Sequence, residues 1–126
     1  MSKRLYHQCL QIAKNNIHRC TETNNHFSFI IQDNTIISIG YNRRGQVHKK
    51  FGYKWYSNIH SEVDAYSKAI NKLDTSKAWS IINIRLNNQL ESMLSMPCSH
   101  CNQYLTILGC NKVYYSTDEG FNKMKL

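Results

Sequence analysis

His60-Ser61-Glu62 and Pro97-Cys98-Ser99-His100-Cys101 are the two stretches that decide how this chain folds. The first has the form H-x-E and the second P-C-x-x-C. Together they offer an imidazole, two thiols and a carboxylate. Three nitrogen or sulfur ligands around zinc leave the fourth position for water, which is the catalytic rather than the structural arrangement. A carboxylate two residues from the histidine can then manage protons at that position. Each stretch also falls where a helix should start. Ser57 or Asn58 is a capping residue for a helix from about His60 to Lys72, with Val63, Ala65, Tyr66, Ala69, Ile70 and Leu73 as its apolar face. His60 and Glu62 are expected in its first turn. Pro97, the only proline, stands before a helix over Cys98–Leu108 that Gly109 ends. Leu105, Ile107 and Leu108 are its apolar positions. Cysteines three apart in such a helix face the same side.

The rest of the chain supplies a sheet on which to mount these helices. Residues 3–20 place Leu5, Cys9, Ile12, Ala13 and Ile17 at helical spacing. Phe27–Gln32 and Thr35–Gly40 are β-branched and aromatic, and Asp33-Asn34 between them tolerates positive φ, which predicts a two-residue β-hairpin. Ala78–Leu86, with Ile81, Ile82 and Ile84, reads as a buried strand. Residues 87–96 read as a polar loop with Met93, Leu94 and Met96 turned to the core. Val113–Ser116 and Phe121–Leu126 read as two further strands around the turn Asp118-Glu119-Gly120. The order α-β-β-α-β-α-β-β predicts an α/β fold. It is a three-layer α-β-α sandwich around a mixed five-stranded sheet, ending in an antiparallel hairpin.

The 126 residues suit a single domain, with 41% hydrophobic and 19% charged residues. No apolar run approaches the roughly 18 residues of a membrane span, and the N-terminus has no apolar core of a secretory signal. Five cysteines, scattered apart from the C-x-x-C pair, do not read as a disulfide framework. They point to a reducing, cytoplasmic setting, with Cys9 as a small core hydrophobe. The net charge of +8 is uneven: residues 1–60 hold nine Lys or Arg and two acids, a net of +7. Arg43, Arg44, Lys49 and Lys50 lie in one long connection, residues 41–59, with Phe51, Tyr53, Trp55 and Tyr56. Such a basic stretch suits a nucleotide phosphate or a nucleic-acid backbone, or else simply a solvated loop.

The joint pattern H-x-E…P-C-x-x-C resembles the cytidine and deoxycytidylate deaminase superfamily, zinc enzymes acting on nucleobases. The resemblance covers the whole chain in element order and only the motifs in sequence. It implies one zinc-dependent deaminase domain over residues 1–126. Carried over residue by residue, it implies that His60, Cys98 and Cys101 hold zinc and that Glu62 is the proton shuttle. Asn42, in Gly40-Tyr41-Asn42, takes the place of a family asparagine that holds the substrate sugar or base. His60-Ser61-Glu62-Val63-Asp64-Ala65 is similar to members reading H-A-E-V-N-A, with Ser61 departing from Ala; the backbone at position 61 is what the family uses toward substrate. Tyr53, Trp55 and Tyr56 are candidates to stack on the base, and Arg43, Arg44, Lys49 and Lys50 to meet phosphate. The tail departs from the deoxycytidylate, tRNA-adenosine and polynucleotide branches. Those members end in a helix and a parallel fifth strand, a crossover of about a dozen residues or more, whereas nine residues follow Thr117. An antiparallel hairpin is implied instead, as in free-cytidine deaminases and some deaminase toxins.

The expected activity is hydrolytic conversion of a cytosine base to uracil with release of ammonia, on a free nucleoside or nucleotide. The alternatives are a cytosine or, as a minority reading, adenine deaminase acting on single-stranded DNA or RNA, and a non-catalytic zinc module that binds nucleic acid. Glu62 counts against the last, because a structural site gives that carboxylate no task. Self-association into a homo-oligomer is implied by the resemblance alone.

Overall fold

Asp33 and Asn34 carry φ of 53° and 59°, the paired positive values of a tight hairpin turn. They join β1 (Asn25–Gln32) to β2 (Thr35–Tyr41), in antiparallel register from Gln32 opposite Thr35 to Phe27 opposite Tyr41, with a bulge between Ile30 and Ile31. The computed structural model describes residues 3–20, 25–44, 58–97 and 99–126. Expectations for Cys98, Lys49, Lys50, Tyr53, Trp55 and Tyr56 concern residues outside that set, and of Arg43 and Arg44 only the backbone is described.

In chain order the elements are α1 (Lys3–Asn15), a 3-10 turn (Ile17–Arg19), β1, β2, β3 (Arg43–Arg44), β4 (Asn58–Ile59), α2 (Ser61–Ala69), β5 (Trp79–Leu86), β6 (Ser92–Met93), α3 (Ser99–Ile107), β7 (Cys110–Ser116) and β8 (Phe121–Lys125). The main sheet runs β2-β1-β5-β7-β8, with β6 added beside the end of β5. Among the described residues only β5 and β7 are parallel neighbours; β1 pairs antiparallel with β2 and β5, and β8 pairs antiparallel with β7. The mixed sheet and the antiparallel terminal hairpin are therefore as the sequence predicts. Two crossovers, β2-α2-β5 and β5-α3-β7, place α2 and α3 on one face.

Alternation along the strands divides the core in two. Phe27, Phe29, Ile31, Ile82, Ile84, Leu86 and Tyr114 pack under α1 against Leu5, Tyr6, Cys9 and Ala13. Ile30, Ile81, Val113 and Tyr115 face Val63, Ala65, Tyr66 and Ala69 of α2 and Leu105 of α3. Tyr6 stacks on Phe121 at 4.2 Å, fastening α1 to the terminal hairpin.

Several sequence expectations need correction. His60 is the N-cap of α2, with φ −71° and ψ 147°, rather than a residue of its first turn, and Asn58 belongs to a strand. The long connection opens and closes as a small ribbon, Arg43 opposite Ile59 and Arg44 opposite Asn58, which leaves no room for a cap there. Leu94 and Met96 are exposed and Met93 half-buried, because this segment runs along the sheet edge with Ser95, between Leu94 and Met96, turned inward. Ser95 and Ser116 bond each other there at 2.9 Å. Ile107 is 80% exposed, on the outer side of α3.

Burial pushes the Cys9 and Cys110 thiols up to about 12 and Cys20 up to about 11, in the last two against smaller downward pulls from hydrogen bonds to backbone. An unfolded thiol titrates near 9. The native state therefore keeps protons that the unfolded chain releases, so this contribution is complete below about pH 8 and is lost as pH rises from 9 toward 12. For Cys9 and Cys110 the loss is about 2–3 kcal/mol each by pH 11. Melting temperature is expected to be flat from pH 7 to 8 and to fall steeply above 9. Melts of Cys9→Ala and Cys110→Ala, each with a shallower alkaline slope, check the assignment; unchanged slopes count against it.

Candidate active site

The N-terminal ends of α2 and α3 meet at one edge of the parallel β5/β7 pair. Such an edge, where crossover helices begin, is where an open α/β sheet usually binds its ligand. At α2 the chain leaves β4 extended, turns at His60, and makes its first helical bond from the Asp64 N–H to the His60 carbonyl at 3.0 Å. The first turn is sunk into the protein although it is polar: Ser61, Glu62 and Asp64 are 2%, 8% and 1% exposed. Each has a partner. Asp64 Oδ2 accepts from the Tyr41 backbone N–H at 2.9 Å and from Lys68 Nζ at 2.8 Å. Glu62 Oε1 accepts from the Ser61 hydroxyl at 2.8 Å.

His60 Nδ1 stands 3.2 Å from Cys101 Sγ, near the roughly 3.6 Å expected of two ligands on one tetrahedral zinc. His60, Glu62 and Cys101 each present a donor atom, all within 4.8 Å of one another. The residues fit a zinc ion: an imidazole nitrogen and a thiol sulfur converge across 41 residues of sequence. Cys98 opens the same helix that carries Cys101 and lies outside the described residues. Among the described residues Cys9, Cys20, Cys101 and Cys110 are in no disulfide. Cys9 packs into the core from α1, and Cys20 Sγ lies 3.7 Å from the His26 carbonyl.

Asn42 is buried, and its carboxamide is engaged on the chain itself. Oδ1 accepts from the His26 backbone N–H at 2.9 Å, and the Asn42 N–H returns a bond to the His26 carbonyl at 3.2 Å. This clasp extends the β1/β2 ladder and fixes where the long connection departs. Ser61 is placed with its side chain as well as its backbone at the site.

Four residues at or beneath this edge carry no recognisable motif. Ser28, His26, Asn83 and Arg85 form two facing pairs on β1 and β5, Ser28 opposite Asn83 and His26 opposite Arg85. They continue the row that starts with the buried Ile30 and Ile81. Burial lowers the His26 pKa; the Glu62 carboxylate opposes this, while Arg85 and His60 add to it. His26 thus lies within the electrostatic reach of both sequence-predicted groups. Only the β1/β5 register reveals these pairs, and no local pattern encodes it.

The family model described as the cytidine and deoxycytidylate deaminase zinc-binding region matches residues 1–117. No curated protein matches the chain significantly. Among solved structures, a dCMP deaminase from the cyanophage S-TIM5, in complex with dCMP and dUMP, is similar with a TM-score of 0.62 at 15% identity, covering 91% of this chain and 82% of that one. A cytidine deaminase from Mycobacterium leprae gives 0.60 at 13% identity, covering 90% and 88%. One from Burkholderia pseudomallei gives 0.63 at 13% identity, covering 99% and 93%. At these identities the likeness is one of fold.

Proposed function

The chain belongs to the cytidine and deoxycytidylate deaminase family, and from that premise we propose that it hydrolytically removes the amino group of a cytosine ring on a free nucleoside or nucleotide. The observation that carries this reading is the convergence of a His60 ring nitrogen, Cys101 Sγ and a Glu62 carboxylate oxygen within 4.8 Å at the start of two helices. His60, Cys98 and Cys101 would hold zinc, which when bound supplies Lewis-acid activation of water.

Glu62 does the proton work. The overall change adds water across the C4–N4 bond and leaves uracil and ammonia. A carboxylate beside the attacking water takes its proton and passes it to the ring nitrogen; the departing amine receives the second. The buried first turn of α2 keeps that carboxylate away from bulk water. Asn42 would approach the substrate through its amide nitrogen, its oxygen being held by His26. Ser61 offers its backbone to the substrate. Tyr53, Trp55 and Tyr56 would supply a stacking surface, and Arg43, Arg44, Lys49 and Lys50 would meet phosphate. Residues 1–126 would act as one domain. Among the described residues no helix is long and apolar enough to cross a membrane, and the free thiols suit a reducing cytoplasm.

Two observations favour a small substrate. One cytosine-nucleotide relative is captured with dCMP and dUMP. The antiparallel β8 matches the tail that the resemblance implies for free-cytidine deaminases, a tail that some deaminase toxins share. The basic connection favours the second reading, cytosine in single-stranded nucleic acid. Zinc-loaded protein incubated with cytidine, deoxycytidine, their monophosphates and a cytosine-containing oligonucleotide is expected to convert a free form to its uracil counterpart with release of ammonia, to stop when zinc is chelated and to resume when it is returned. Product from the oligonucleotide alone reverses the two readings. Stoichiometric zinc and oligonucleotide binding without ammonia would make this a non-catalytic module.

A further inference from the structure

A line of polar groups runs beneath Glu62 into the sheet, next to the buried Ile30 and Ile81. Ser28 and Asn83 face each other two residues along from Ile30 and Ile81, and are 0% and 3% exposed. The Ser28 hydroxyl lies 2.7 Å from Ser61 Oγ and 2.7 Å from the Asn83 carboxamide. Ser61 Oγ in turn lies 2.8 Å from Glu62 Oε1. Four buried groups from β1, β5 and α2 thus form one chain that ends on the carboxylate.

Contacts this short each need a proton between the two heavy atoms. There are three contacts, and the two hydroxyls bring two protons. The carboxamide of Asn83 supplies the third when it presents Nδ2–H rather than Oδ1 to Ser28, a half-turn that exchanges two ends of nearly equal size. Asn83 then donates to Ser28, Ser28 to Ser61, and Ser61 to Glu62. Every hydroxyl in that sequence gives one bond and receives one.

We propose that Ser61, backed by Ser28 and Asn83, is a positioning residue for Glu62. Its hydroxyl occupies Oε1 and fixes the plane of the carboxylate, so that the other oxygen is the one that takes and returns the proton. This rests on the deaminase reading above and adds to it a support that the resembling motif, with alanine at this place, does not contain. A carboxylate misplaced by about 1 Å costs up to about 100-fold in rate, so the hydroxyl matters to catalysis without touching substrate.

The test uses Ser28→Ala, Ser61→Ala and the double variant. With the substrate that the native protein turns over best, Ser61→Ala is expected to lower kcat about tenfold while KM and zinc affinity, measured by chelator competition, stay within twofold. Ser28→Ala, which leaves the Ser61 donor in place, should lower kcat less. In metal-free protein the double variant should lose no more in melting temperature than the worse single variant, since either change breaks the same chain. A native kcat in Ser61→Ala overturns the positioning role, and so does a kcat that falls only as far as zinc is lost. Additive melting losses overturn the network itself. If the native protein deaminates nothing, the functional reading fails, and the metal-free melts still decide whether the chain exists.

Discussion

Glu62→Ala is expected to bind zinc as the native protein does and to deaminate cytosine about 1,000-fold more slowly or worse, within the usual effect of losing a general acid–base. The two halves of that outcome separate two roles. Among the described residues the metal-competent cluster is His60, Glu62 and Cys101, so geometry alone admits the carboxylate as a ligand. A ligand's removal would weaken zinc binding along with turnover. The shuttle role predicts retained zinc, because on the proposed reading Cys98 would complete the nitrogen and sulfur set. One carboxylate oxygen is already committed to Ser61, which suits a group held beside the metal more than one wrapped on it. Glu62→Gln keeps the volume and the Ser61 contact and should be as inactive, since an amide can neither take nor return the proton. Metal analysis of the purified variants and the absorbance change from cytosine to uracil give both readouts. Native-like turnover in either variant sinks the mechanism; loss of zinc in Glu62→Ala makes Glu62 a ligand.

How much of this was legible in the sequence follows from the range of the interactions. The turn at Asp33-Asn34, the helix after His60 and the stop at Gly109 are set by residues within a few positions, and each was readable. The antiparallel β8 was readable because Asp118-Glu119-Gly120 is a local turn. Gly120, with φ 154°, and the Thr117 N–H bonded to its carbonyl at 2.9 Å carry it out. What was not readable depends on pairing. Ser28 looks like an ordinary strand residue until β1 and β5 are in register, and only then does it meet Asn83, 55 positions away, and Ser61, 33 away. Met93, Leu94 and Met96 misled for the converse reason: their hydrophobicity is local, while the face they turn to is set by Ser95 bonding across to Ser116. Asn42 was singled out by its place after β2, and the clasp on His26 that ties up its oxygen is visible only in three dimensions.

Gly40→Ala should be the most damaging single methyl in the described chain, destabilising by about 3–5 kcal/mol, above the usual cost of overpacking. Gly40 lies in β2 directly beneath the first turn of α2. A Cβ there would sit 2.2 Å from the Ser61 carbonyl oxygen, 2.3 Å from the Ala65 nitrogen and 2.8 Å from the Ala65 Cα. All three are backbone atoms of the helix that follows His60, so no side chain can swing aside. Nor can the helix slide along the strand, because the Ser38 hydroxyl bonds the Ala65 carbonyl at 2.7 Å and Asp64 holds the Tyr41 N–H on either side of the glycine. The turn must lift from the sheet. Lifting it pulls Ser61 from Ser28 and His60 from Cys101, so stability and the metal site are lost together. The melting temperature is expected to fall by roughly 10–20 °C, and zinc should recover less of it than it adds to the native protein. Melts with and without zinc measure both quantities. A variant that melts within about 3 °C of native and responds fully to zinc would mean that α2 does not rest on β2 through this contact.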